Sequence, residues 1–71
     1  MNEIKDVNRR FIEEMIKWKL PYRALAFDYA VRLKKIAIKL GFTKTQAHIL
    51  AFQTTLGTFT LLRHENTLSP Q

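Results

Sequence analysis

The sequence predicts an all-α fold: a small three-helix domain that we expect to form a homodimer. Apolar residues recur every three or four positions along most of the chain, and Pro21 and Gly41 divide that pattern into three runs. Thr43 and Gln46 form a capping sequence at the start of the third run. A chain of 71 residues has room for one modest core, and domains of this size are only marginally stable alone.

The first helix is predicted at about residues 3–19. Asn2 can cap its N-terminus, Glu3 and Asp6 lie in its first turn, and Lys17 and Lys19 lie in its last turn, so both ends suit the helix dipole. The side predicted to face the core consists of apolar residues at spacings of three and four: Ile4, Val7, Phe11, Met15 and Trp18, widened by Ile12 and Ile16.

The second helix is predicted at about residues 21–40, with Pro21 at its first position and Gly41 as a left-handed cap. It is apolar on more than one face, because Phe27, Val31 and Ile38 lie away from the main apolar line. That line consists of Leu25, Tyr29, Leu33, Ile36 and Leu40. A helix of this kind is either central in its fold or covered by a partner, which is why we predict a homodimer.

The third helix is predicted at about residues 44–63, with Thr43 and Gln46 as a capping box. Its apolar line consists of Ala47, Leu50, Ala51, Phe52 and Leu56. Residues 58–62 alternate like a short strand, but a strand without a partner is unstable, so we favour a helix that continues through Gly57. Residues 1–65 then form a single helical domain, and residues 66–71 form a frayed tail.

The composition argues against an enzyme. There is no cysteine for a disulfide or a thiolate zinc site, and the two histidines lack a carboxylate cluster, so no metal and no cofactor are expected. Glu13 and Glu14 are adjacent on a helix and point about 100° apart, which prevents a converging acid–base pair. Charged residues near the N-terminus and a polar 45–62 segment predict neither a signal peptide nor a membrane span. We therefore expect a soluble, cytoplasmic binding protein.

The charge distribution suggests an anionic partner. The chain has a net charge of +6, and residues 17–44 contain eight basic side chains against one acid, Asp28, which is a local net charge of +7. A field of one sign attracts polyanions, so we predict nucleic acid, with DNA favoured over RNA. The alternative is that these lysines only solvate helix surfaces.

Residues 35–50 resemble the helix-turn-helix of DNA-binding regulators. The resemblance consists of Ala37, Gly41 four residues later, Phe42 and Thr43 in the turn, and inward-facing Ala47 and Leu50. The stretch 40–47 is also similar to the opening of winged-helix regulators. The pattern departs at Ala47, which is smaller than the usual branched residue, and at Ile49 and Phe52, where exposed residues are expected. A three-helix bundle with a glycine turn is the alternative.

The resemblance implies where nucleic acid would bind. Lys44 would contact phosphate, and Thr45, Gln46 and His48 would reach base edges. The basic surface of the second helix would add Arg32, Lys35 and Lys39. Gln46 has two competing roles, since its amide can either cap the helix or read a base.

Two other functions remain open. A small protein-binding module, an inhibitor or adaptor, would use apolar helix faces with Trp18, Phe27 or Phe59 as anchors. Binding to a membrane surface is less well supported, because the basic residues of the second helix do not segregate from its apolar residues.

Overall fold

A computed structural model describes residues 2–65, which form three α-helices joined by short turns. Helix α1 spans Glu3–Met15, helix α2 spans Leu20–Lys39, and helix α3 spans Lys44–His64. The predicted all-α fold is confirmed. The predicted frayed tail, residues 66–71, lies outside the described residues.

Helix α1 ends four residues earlier than the sequence predicts. Its start is capped as expected, because Asn2 Oδ1 accepts a hydrogen bond from the Lys5 backbone N–H at 3.2 Å. After Met15 the chain forms a turn, in which the Trp18 N–H donates to the Met15 carbonyl at 3.0 Å. The turn places the Trp18 side chain in the core, where it is 1% exposed. Arg23, not the predicted lysines, interacts with this end of α1: its Nη2 donates to the carbonyl of the cap residue Ile16 at 3.3 Å, and its Nε donates to the Trp18 carbonyl at 2.6 Å.

The turn between α2 and α3 depends on one glycine. Helix α2 begins one residue before Pro21, within the first turn, where a proline costs no backbone hydrogen bond. Gly41 has a φ of +106° at the other end. The Gly41 N–H donates to the Ile38 carbonyl at 3.0 Å, and the Phe42 N–H donates to the Ala37 carbonyl at 3.1 Å. This pair of bonds is the Schellman motif, which needs a left-handed residue.

Helix α3 has the predicted capping box. The Gln46 N–H donates to Thr43 Oγ1, and the Thr43 N–H donates to Gln46 Oε1, both at 3.1 Å. The helix continues through Gly57 to His64, which confirms the helical prediction for residues 58–63.

Helix α3 packs against both other helices, but the two interfaces differ in side-chain size. Helices α2 and α3 form an antiparallel hairpin whose contacts recur along its length, from the Lys34–His48 pair to the Phe27–Phe52 pair. The buried residues of α2 are all alanines, and three buried residues of α3 are similarly small. We call these six residues the alanine seam: Ala26, Ala30 and Ala37 on α2, and Ala47, Ala51 and Thr55 on α3.

The interface between α1 and α3 is built from large side chains. The Phe11 and Phe52 rings meet edge to face at 5.0 Å between centroids, and Trp18 meets Phe59 in the same way at 5.5 Å. Edge-to-face pairs of this kind add stability beyond the apolar area that they bury.

A buried ion pair fixes the end of α1 against the end of α3. Glu14 is 5% exposed, and its two carboxylate oxygens accept from Arg63 Nε at 2.6 Å and Nη2 at 3.0 Å. The Trp18 indole N–H donates to the same carboxylate at 3.0 Å. Burial alone raises the pKa of Glu14, but the hydrogen bonds from Arg63 and Trp18 outweigh it and lower the pKa below its ordinary value of 4.5.

Candidate functional site

The predicted basic residues of α2 lie on its outward side, and we call Arg32, Lys35 and Lys39 the basic ridge. Their spacing of three and four residues aligns them on one face of the helix, opposite the alanine seam. All three are exposed. Arg32 Nε contacts Asp28 Oδ2 at 2.9 Å, whereas no carboxylate partner is present for Lys35 or Lys39 within residues 2–65. The ridge therefore presents cations that are available to an anionic partner.

The start of α3 contributes less than the helix-turn-helix resemblance implies. Lys44 and Thr45 are exposed beside the turn. The Gln46 side-chain oxygen is used in the capping box, so of its two competing roles the structure shows the capping one.

His48 connects all three helices. Its Nε2 lies 2.8 Å from Asn8 Oδ1 on α1, and its Nδ1 lies 3.4 Å from Lys34 Nζ on α2. An ammonium can only donate, so Nδ1 accepts a hydrogen bond from Lys34. Nε2 therefore carries the ring hydrogen and donates it in a hydrogen bond to Asn8 Oδ1. The ring stacks on Phe52 at 4.3 Å. Burial lowers the pKa of His48, and the Lys34 charge lowers it further. Both ring nitrogens and one ring face are thus engaged inside the protein.

Two of the three apolar anchors proposed from the sequence belong to the core. Trp18 is 1% exposed and Phe59 is 5% exposed, so neither can reach a partner. Phe27 is 57% exposed and remains available.

An apolar groove between α1 and α2 was not predicted from the sequence. Ile12 and Ile16 form one wall, Phe27 forms the other, and Phe52 and His48 lie at the floor, around a cavity of about 510 Å³. We call this the α1–α2 groove. Ile12 and Ile16, which were predicted to widen the core stripe, are 60% and 61% exposed. They stay uncovered because α2 packs closely on α3, not on α1.

The groove extends along α2 and is bordered by cations. A second cavity of about 350 Å³ shares Phe27, Phe52 and His48 with the first and continues between α2 and α3. It is walled further along by Val31, Lys34, Lys35 and Ile38. Arg23 lines the first cavity. The two cavities together have three cationic side chains and no carboxylate among their described lining residues.

The opposite flank of α2 carries a second apolar surface, which we call the uncharged face. It surrounds a shallow cavity of about 230 Å³. Four large exposed side chains line this cavity: Ile36, Leu40, Phe42 and Leu50. Leu25 and Tyr29 continue the same apolar line of α2 by helical spacing. No charged side chain lines its cavity among the residues described.

No protein-family model matches this chain, and neither a curated protein nor a solved structure matches it significantly. Within residues 2–65, no helix has both the length and the apolar character needed to cross a membrane. The same residues contain no cluster of side chains that could hold a metal ion.

Proposed function

We propose that this protein is a small basic protein that binds nucleic acid through the basic ridge of α2. The supporting observation is the exposed alignment of Arg32, Lys35 and Lys39, where Asp28 is the one acidic neighbour within the described residues. Phosphate contacts of this kind position a helix on a duplex without reading its sequence. We favour DNA over RNA because the major groove of B-form DNA accepts an α-helix, whereas that of A-form RNA is too narrow.

The proposal gives a smaller role to helix α3 than a helix-turn-helix would. Lys44 and Thr45 can extend the phosphate contacts from the ridge, because they are exposed at the adjoining turn. Gln46 and His48 are engaged in capping and in contacts between helices. Recognition of a base sequence by α3 would require both side chains to leave these partners.

We further propose that the protein acts as a homodimer joined through the uncharged face. A net charge of +6 opposes self-association, and an uncharged interface adds no close contacts between like charges to that repulsion. The six large side chains of the uncharged face are roughly half exposed. Contiguous exposed apolar patches of this kind mark sites of protein–protein interaction. A dimer would present two basic ridges in one particle.

The test compares two variants that remove the same charge from different helices. Arg32→Gln with Lys39→Gln neutralises the ridge, and Arg9→Gln with Arg10→Gln neutralises two exposed arginines of α1. Binding to a fluorescein-labelled 20-base-pair duplex is measured by anisotropy between 50 and 200 mM salt. We expect the ridge variant to bind at least tenfold more weakly and to reduce the salt slope by about two units per copy.

The α1 variant is expected to retain most of the affinity for the duplex, since it lowers the net charge without removing a proposed contact to phosphate. Equal losses in both variants would show a response to net charge alone, and no loss in the ridge variant would contradict the proposal. Circular dichroism checks that both variants remain helical.

A further inference from the structure

We infer that the α1–α2 groove is a docking site for an acidic amphipathic helix of another protein. This inference does not depend on the proposed nucleic-acid binding, because it concerns a different surface, which shares one residue, Lys35, with the basic ridge. The groove lies on the α1 side of α2, whereas the basic ridge lies on the outward side of that helix.

The shape of the groove suits the apolar side of a helix. Ile12 on α1 and Ile16, the residue that caps its C-terminus, stand one helical turn apart. Phe27 stands across from them on α2 with 57% exposure. A helix that docks in such a groove inserts side chains spaced at three, four and seven residues. The ring of Phe52, 6.1 Å from that of Phe27, closes the floor against which those side chains would pack.

The charge around the groove selects the kind of helix. Arg23, Lys34 and Lys35 border it, and no carboxylate is found among the described residues that line it. An inserted helix with glutamate or aspartate on its flanks would place these anionic groups against the three cations. A basic helix would meet like charges, which weakens its binding in a close interface. The border therefore favours an acidic helix over a neutral or basic one.

Other occupants fit less well. A second copy of this chain carries the same net charge of +6 and would bring the same cationic border to the groove. A nucleic acid would have to lose the hydration of its phosphates against Ile12, Ile16 and Phe27, which offer no hydrogen bonds in return.

The experiment uses synthetic peptides of defined sequence. One fluorescein-labelled 18-residue peptide has leucine at four positions of one helix face and glutamate at the flanking positions. A matched peptide has lysine in place of every glutamate, and a third has the acidic composition in scrambled order. Fluorescence anisotropy with the full chain is expected to show saturable micromolar binding of the acidic amphipathic peptide. The lysine and scrambled peptides should bind at least tenfold more weakly.

Variants locate the binding. Ile16→Gln and Phe27→Gln should each weaken the acidic peptide by about tenfold, while Leu40→Gln, at a side chain 74% exposed on the uncharged face, should leave it unchanged. Lys34→Gln should weaken the acidic peptide several-fold, while Lys44→Gln, outside the groove, should have little effect.

Four results would overturn the inference: equal binding of the acidic and lysine peptides, no saturable binding at 100 μM, groove variants that bind as tightly as wild type, or loss of binding in Leu40→Gln. Phosphatidylglycerol vesicles provide the remaining comparison. If they bind the chain through Ile16 and Phe27 while the acidic peptide does not, the groove is a lipid-facing surface and the helix partner is wrong.

Discussion

Helix α2 has an apolar surface on each flank, and the two surfaces differ in charge. On the α1 side, Ile16 and Phe27 line a groove that is bordered by three cations. On the other side, Ile36, Leu40 and Leu50 surround a shallow cavity whose described lining carries no charged side chain. We propose that these similar apolar groups bind two different kinds of partner, an anionic helix on one flank and an identical chain on the other.

Both surfaces follow from the alanine seam. Helix α2 buries Ala26, Ala30 and Ala37 against α3, so its larger side chains are left on the flanks. Helix α1 buries larger groups, such as Phe11 and Met15, and retains less apolar surface on the outside. In this domain, the helix with small core-facing residues lies close to its neighbour and keeps its large residues exposed on its flanks.

The largest expected effect comes from removing Trp18, which holds the end of α1 in place. The groove exists only while α1 is fixed on α3. Trp18→Ala should lower the free energy of unfolding by about 3–5 kcal/mol. This is a large part of the ~4–10 kcal/mol expected for a domain of this size. Urea unfolding followed by circular dichroism measures the loss. Phe27→Ala is the control, because Phe27 is 57% exposed and should cost less than about 1 kcal/mol. Equal losses would mean that Trp18 is not a core residue.

The next effect tests the close approach of α2 to α3. Ala30 is fully buried in the alanine seam, so Ala30→Leu would force the helices apart and cost about 1–3 kcal/mol. Ala24→Leu, on an exposed position of the same helix, adds the same atoms and should change stability by less than about 0.5 kcal/mol. A fully stable Ala30→Leu variant would contradict the seam and, with it, the origin of both surfaces.

A smaller effect, the pH dependence of stability, tests the Glu14 ion pair that attaches α1 to α3. The folded state lowers the pKa of Glu14, so the resulting stability is present above the ordinary value of 4.5 and disappears as the pH falls through the folded pKa. At pH 7, the melting temperature of Glu14→Gln should therefore lie below that of wild type, by roughly 4–8 °C for each kcal/mol of unfolding free energy that is lost. The gap should narrow in acid, as the pH falls below 4.5 and through the folded pKa, because the wild-type carboxyl then becomes protonated.

Glu13→Gln is the matched control, because its carboxylate is exposed and pairs with Arg9 on the surface. Glu13→Gln should change the melting temperature little, both at pH 7 and in acid. A gap between Glu14→Gln and wild type that stays constant with pH would contradict the electrostatic role of Glu14.

The sequence predicted the helices better than the surfaces. The capping box, the left-handed Gly41 and the passage of α3 through Gly57 depend on residues close in sequence, and local rules identify them. The end of α1 was placed too late because Trp18 turns inward through tertiary packing. Periodicity predicts that Ile12 lies beside a core stripe, but not whether another helix will cover it.

The candidate site shows the same limit. The spacing of Arg32, Lys35 and Lys39 was sufficient to place them on one face of α2. The position of His48 between Asn8 and Lys34 depends on side chains 40 and 14 residues away, which no local pattern indicates.

We propose that the two flanks of α2 bind different partners, with the dimer formed through the uncharged face. The most direct test of this proposal changes one isoleucine on each flank to glutamate. Ile16, in the groove, is 61% exposed, and Ile36, on the uncharged face, is 53% exposed, so the two substitutions add the same charge at similar exposure. Sedimentation equilibrium at about 100 μM, above the micromolar-to-picomolar dissociation constants of standard interfaces, measures the mass of each variant. We predict a dimer for wild type and for Ile16→Glu, and a mass near 8.4 kDa for Ile36→Glu. A wild-type mass near 8.4 kDa, or a dimer lost in Ile16→Glu but retained in Ile36→Glu, would contradict the account.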